Sequence, residues 1–446
     1  MATILLVPAA FGCASNSSEG RPAASPPPYS YANVAPLDPA EDATFVVLCF
    51  SGGGMRAAAL AYGVLQELQQ TAMTVSSARP SLLDEVDIIS SVSGGSFTSA
   101  YYVSFRDSFF RDFPDVIKKN WAWRVLLSCL NPLHLLRMLS PRFSRTDVAA
   151  AVYSRQIFKD HTYDSLPRVR PFLIVNATDT SRGSRFEFTQ TQFDPMCGDV
   201  GKLKVGKAVA ASAAFPGLFP PLAIRSRAGT CGYELPAHLE QAQNRSTTEA
   251  RLHQYATGVA SYALKERRYI HLLDGGVADN IGARGLIDAL FLNASPISLV
   301  SRLPQANGSG SIKKLVIILV NAKTAPDLRP DRRARPQSFL RVVPGVAFST
   351  MANYSFETVT FLREIVDAKM ALRGHTTKDV YVIEVGMDGI ANADDHAFFS
   401  RVATTLHLPP GDIDRIVRIG GAVLRDNKNF QRLKRDLAAS SESEAK

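Results

Sequence analysis

The chain has 446 residues, 46% hydrophobic and 20% charged, a balance that excludes a disordered or fibrous protein and suits a globular one. Its net charge of +9 fits work near an anionic surface. The Lys and Arg are spread along the chain with no basic block interleaved with aromatics, which argues against nucleic acid as a partner.

The first feature in chain order is a short apolar run, 4–11, ended by Gly12-Cys13 and followed by the Ser/Pro/Ala-rich residues 14–40. That is the order of a bacterial lipoprotein signal, with Cys13 as the residue to be lipidated and 14–40 as a flexible tether, although no basic residue follows Met1. A plain disordered N-terminus is the alternative. Under the first reading the protein is membrane-associated and faces the periplasm. Under both, residues 1–40 are set apart from a single domain over 41–446. No run of ~18 apolar residues follows, so no spanning helix is expected.

From Thr44 the pattern changes. TFVVLCF (44–50) reads as a buried strand, Gly52-Gly53-Gly54 as a turn, and 55–70 as a helix, because its Ala, Leu and Val recur at helical spacing. The same grammar returns at VDIISSV (86–92), Ser93-Gly94-Gly95 and a helix over 96–105. Further strands are expected at 171–177, 269–274, 314–322 and 379–385, with helices at 204–214, 281–292, 346–372 and 411–425. SRFEFTQ (184–190) alternates as an edge strand does. Strands alternating with helices predict a three-layer α/β/α fold around a mostly parallel central sheet. The core is expected over 44–290, interrupted by insertions near 106–165 and 226–268, with a C-terminal extension over 291–446.

Three elements carry chemistry. Ser93 stands on a strand-to-helix turn between small residues, the place of a strained, exposed nucleophile; the rival reading is a helix N-cap. Gly52, Gly53 and Gly54 offer backbone N–H groups at a helix start, suited to holding an oxyanion. They do not form G-x-G-x-x-G, and no Gly-Lys-Ser/Thr follows, so a nucleotide phosphate loop fits badly. Asp274 ends the strand YIHLLD before Gly275-Gly276, where it can serve as a base or simply form an Asp-Gly turn. Arg56 can position the glycine loop or meet an anionic head group. Asp279 and Asn280 read as caps of the following helix. His271, three residues before Asp274, should face the other side of the sheet; the sequence excludes none of the eight histidines, and a direct Ser–Asp dyad is favoured over a triad because both its members stand on strand-end turns. Cys197 and Cys231 lie in polar segments and can either pair in an oxidising compartment or stand as two free thiols. No metal site is expected, since neither HExxH nor a Ca²⁺ loop occurs.

Taken together, SGGGMRAAALAYGVLQEL, SSVSGGSFTSAYY, VNATDTSRGSRFEF, ASAAFPGLFPPL and DGGVADNIGAR, in that order, resemble the patatin-like phospholipase family of the bacterial type. The resemblance implies a Ser93–Asp274 dyad, a Gly52–Gly54 oxyanion loop, no cofactor, and hydrolysis of fatty-acyl esters in the manner of a phospholipase A or lysophospholipase. Ser91 stands where the family pattern has glycine, and Ala57 where a glycine often follows the arginine. A phospholipid or other fatty-acyl ester is then the expected substrate, and a membrane surface the expected partner. The alternatives are an inactive lipid-binding scaffold, a thioesterase or another serine hydrolase. Residues 118–142, with two Trp, many Leu and flanking cations, fit either an interfacial helix or a buried lid over the acyl pocket.

Overall fold

Apolar β-branched runs with cover on both faces become central parallel strands, and that is where the longest such runs of this chain lie. A computed structural model describes residues 29–33, 44–72, 81–244, 249–291, 314–326, 334, 339–372 and 380–444. Its strands are β1 (Thr44–Phe50), β2 (Val86–Val92), β3 (Phe172–Asp179), β4 (Ser184–Glu187), β5 (Leu222–Arg225), β6 (Tyr269–Asp274), β7 (Lys314–Asn321) and β8 (Val380–Gly386). They form one eight-stranded sheet in the order β5-β6-β3-β2-β1-β7-β8, with β4 paired to β3 off this path. Strands β3, β2, β1, β7 and β8 run parallel. Every residue of β2 and β3 is buried, which requires helices on both faces. The three-layer α/β expectation holds.

The mixed end of the sheet departs from it. Strand β6, which carries Asp274, runs antiparallel to β3, and the unanticipated β5 runs antiparallel to β6. Strand β2 pairs with Phe172–Asn176, leaving the last three residues of β3 overhanging, and β6 pairs with that overhang, Ala177 opposite Asp274. The antiparallel run therefore brings Asp274 back level with the end of β2 at Val92, beside Ser93.

Helix α1 (Gly54–Gln70) follows β1, and α2 (Gly94–Ser104) follows β2. The insertion 106–165 folds into short helices, among them α3 (Phe109–Ile117), α4 (Trp121–Cys129), α5 (Pro132–Met138) and α6 (Arg145–Val152). The stretch read as an extension is part of the core. It supplies β7 and β8, and its helix Pro410–Asp426 lies so close to α1 that a Cβ on Gly63 would sit 2.1 Å from the Val417 carbonyl oxygen. The stretch 1–40 is likewise not uniformly a tether. Tyr29 is fully buried, stacks on Phe172 and accepts the Leu173 N–H at 2.9 Å. Tyr31 meets the same Phe172 ring edge-on at 5.9 Å, so two tyrosines dock this Ser/Pro-rich segment on the sheet. Cys13 lies outside the described residues.

Candidate active site

The elbow after β2 is strained. Ser93 has φ 49° and ψ −117°, a backbone conformation that costs an L-residue roughly 1–3 kcal/mol. It is the residue preceding α2, yet its side chain caps nothing in that helix. Instead the hydroxyl donates to Asp274 Oδ2 at 2.7 Å, across 181 residues of sequence. That geometry separates the nucleophile reading from the N-cap reading. No histidine intervenes, and His271 lies on the exposed face of β6 while Ile270, Leu272 and Asp274 are buried.

Asp274 is 2% exposed. Its Oδ1 accepts the Gly276 N–H at 2.8 Å, so both carboxylate oxygens are engaged. Burial raises its pKa from 3.8 to about 6, the bonds from Gly276 and Ser93 acting in the opposite direction. The base is thus stronger than an ordinary carboxylate and still largely ionised at neutral pH.

The glycine loop touches the elbow backbone to backbone. A Cβ on Gly94 would sit 2.0 Å from the Gly54 carbonyl oxygen and 2.6 Å from its nitrogen, and one on Gly52 would sit 3.3 Å from Ser93 Cβ. Gly53 (φ 143°) and Gly54 (φ 61°) need conformations that side chains disfavour. Among the described residues, nothing accepts the N–H of Gly53 or Gly54, whereas Gly52 donates to the Asn280 carbonyl at 3.0 Å. Gly52 therefore departs from the role expected of it: its donor is spent on holding the loop, and two amides remain open.

Arg56 is 4% exposed, and its guanidinium donates to the carbonyls of Ala322 (2.9 Å) and Val402 (2.5 Å) and to Thr404 Oγ1 (2.9 Å). Burial lowers its pKa to about 10, which leaves it protonated at neutral pH. Of its two expected roles, positioning of the loop is the one this geometry favours, since the guanidinium is buried and each of its three nitrogens already donates a bond. Asp279 caps the helix Arg284–Phe291 through the N–H groups of Gly282 (3.0 Å) and Arg284 (2.7 Å). Asn280 does not cap it. Its carbonyl holds Gly52, and its amide donates to Ser355 Oγ at 3.3 Å.

Sequence reasoning assigned no chemistry to Ser212, the lone hydroxyl in the helix Val205–Ser212. Its Oγ accepts the Ser93 N–H at 2.8 Å and donates to the Asn176 carbonyl at 2.6 Å, while its own carbonyl accepts the Gly275 N–H at 3.1 Å. One serine thus ties the elbow, β3 and the Asp274 turn together. Ser91 is fully buried, donating to the Ile174 carbonyl and accepting from Ser99 at 2.6 Å; the departure from glycine is accommodated by hydrogen bonding. Cys197 and Cys231 form a disulfide.

The lid alternative for 118–142 is only partly met. Trp121 is buried and donates from Nε1 to the Val116 carbonyl at 2.8 Å. Trp123, Leu126, Leu127, Leu130, Leu133, Leu135, Leu136 and Leu139 are between 46% and 81% exposed. One tryptophan anchors α4, and the leucines of α4 and α5 face outward. Among the described residues, no helix is long and apolar enough to cross a membrane.

Several solved structures share a similar course of chain. The human GIVD cytosolic phospholipase A2 is 12% identical with a TM-score of 0.46, covering 90% of this chain and 63% of that one. VipD from Legionella pneumophila is 12% identical with a TM-score of 0.33, covering 90% and 67%. The chain therefore spans under two thirds of the length of the human enzyme, and no residue role follows from likenesses at these scores. No curated protein sequence matches. The model of the patatin-like phospholipase family matches residues 48–287, more than half of the chain. That span contains the glycine loop, the elbow and the Asp274 turn, and the protein belongs to the patatin-like phospholipase family.

Proposed function

We propose that the protein is a serine acyl hydrolase that cleaves fatty-acyl esters of phospholipids or lysophospholipids at a membrane surface. The observation that carries this reading is the 2.7 Å bond from Ser93 Oγ to a buried carboxylate at Asp274, beside two unengaged glycine amides. Asp274 takes the hydroxyl proton as Ser93 Oγ bonds to the ester carbonyl carbon, and the N–H groups of Gly53 and Gly54 receive the oxyanion. Collapse breaks the bond to the alcohol, which leaves with the proton held by Asp274. Water then attacks the acyl-enzyme, giving its proton to Asp274, and the fatty acid departs as that proton returns to Ser93. A base with a pKa of about 6 suits both directions of transfer near neutral pH.

The outward leucines support the membrane surface. Residues 116–146 contain no Asp or Glu but carry Lys118, Lys119, Arg124, Arg137, Arg142 and Arg145. Lys118 pairs with Asp414 at 2.7 Å, and the other cations around the exposed leucines match an anionic bilayer, each buried leucine contributing roughly 1 kcal/mol. Lipidation at Cys13 and a periplasmic location belong to the same proposal; the disulfide, at home in an oxidising compartment, is in keeping with them.

The test is fluorophosphonate labelling of wild type and Ser93→Ala, followed by a phospholipid panel. Labelling lost in the variant, with fatty acid released only by wild type, is the expected result; equal esterase activity in the two would end the proposal. For docking, the triple variant Leu130→Glu, Leu133→Glu, Leu136→Glu should no longer sediment with phosphatidylglycerol liposomes, and unchanged binding removes the claim.

A further inference from the structure

A cavity of about 550 Å³ opens between the residues that follow β7 and the helix Phe339–Leu372. One wall carries Lys323, which directly follows Ala322, the residue whose carbonyl accepts from Arg56 and whose Cβ would lie 3.3 Å from a Cβ on Gly53. The other wall carries Ala352, Asn353, Phe356 and Glu357. From neighbouring positions the same helix touches the turn that follows Asp274. Ser355 accepts from Asn280, and Met351 lies against Gly276, where an added Cβ would be 2.1 Å from its Cε. Both walls of the cavity are thus the direct chain neighbours of residues that pack on the glycine loop and on the Asp274 turn.

Its chemistry is bipolar. Neither the Lys323 ammonium nor the Glu357 carboxylate has an ion-pair partner among the described residues. Arg251 and Arg284 share a smaller cavity with Glu357, but Arg251 pairs with Asp288 at 3.2 Å and Arg284 lies over the Tyr354 ring at 3.7 Å. Phe356 is 63% exposed beside Glu357. A cation, an anion and an exposed aromatic ring in one cavity match a ligand carrying phosphate at one end and an alkylated ammonium at the other. Lysine takes the phosphate as a point charge, while the carboxylate and the ring face take the ammonium.

We infer that this cavity is a head-group subsite for zwitterionic phospholipids of the phosphocholine type, with Lys323 on the phosphate and with Glu357 and Phe356 on the ammonium. The inference rests on the acyl-hydrolase reading, and it names the substrate class. Phosphocholine alone serves as the probe of binding, measured by calorimetry on the full chain, so that this arm does not depend on turnover. Wild type should bind it, and Lys323→Met and Glu357→Gln should each weaken binding by about twofold to fivefold, the scale of one exposed charge contact. In mixed micelles, wild type should prefer phosphatidylcholine to phosphatidylglycerol in kcat/KM, and Glu357→Gln should lose that preference, whereas Glu357→Asp should retain part of it. Thermal melts confirm that each variant is folded. Absence of phosphocholine binding by wild type, or a lipid preference identical in wild type and Glu357→Gln, overturns the subsite. Failure of fluorophosphonate labelling at Ser93 would instead strike the acyl-hydrolase reading, so the two failures are told apart.

Discussion

Replacing Asp274 by Asn should abolish activity and, at neutral pH, make the protein more stable. The folded-state pKa of Asp274 is raised from 3.8 to about 6, so the fold binds its proton more tightly than the unfolded chain does. Stability from this group is present at low pH and is lost as pH rises through 6, because the ionised carboxylate is penalised by burial. A shift of about 2 units corresponds to roughly 3 kcal/mol of destabilisation in wild type at pH 8. The group is 2% exposed, so solvent screening takes little from that figure. Asparagine keeps an oxygen for the Gly276 N–H and turns an amide toward Ser93 Oγ, so its polar contacts can be met. Melting curves of both proteins at pH 4.5 and pH 8 should show the variant higher by a few degrees at pH 8, with most of the gap closed at pH 4.5. In parallel, wild-type kcat/KM should fall about tenfold per unit below pH 6 as the base is protonated. A variant that melts below wild type by the same margin at both pH values would refute the buried-base argument. So would activity that stays level down to pH 4.5.

Ser212→Ala removes the acceptor of the Ser93 N–H; a loss of about 1–3 kcal/mol in chemical denaturation is expected, with kcat reduced more than KM is raised. Arg56→Met orphans three acceptors around the glycine loop and should cost about 3 kcal/mol or more, lowering kcat on every ester tested, soluble or lipid, which a head-group role would not do. Reducing the Cys197–Cys231 bond frees a loop of 34 residues, worth up to about 4 kcal/mol in the chain-entropy account. Limited proteolysis within 226–268 should accelerate accordingly.

Much of the site was legible along the chain because its pieces are local. A strand running into Ser93-Gly94-Gly95, or into three glycines, is a complete structural instruction within a few residues, since small side chains at tight turns have few other uses. The strands β1, β2, β3, β7 and β8 were equally plain, being continuous apolar runs whose ends the structure shifts by a residue or two. The short β5 was missed because four residues reading LAIR carry too little pattern to stand apart from a loop. The direction of β6 could not be read, since six residues reading YIHLLD carry no mark of strand direction, and only pairing with the overhang of β3 settles it.

What the sequence determined by itself was the set of turns: where a nucleophile, an oxyanion loop and a carboxylate could stand. Only the tertiary structure decided that Ser93 donates to Asp274 rather than capping α2, that Gly52 is spent on Asn280, and that Arg56 is a clamp. The physical reason is that these outcomes depend on which partner reaches a polar group first, across separations of 181 to 346 residues. Burial then sets their strength. A carboxylate at the end of a strand is ordinary until β3, the helix Val205–Ser212 and the Gly275-Gly276 turn close around it and raise its pKa to about 6.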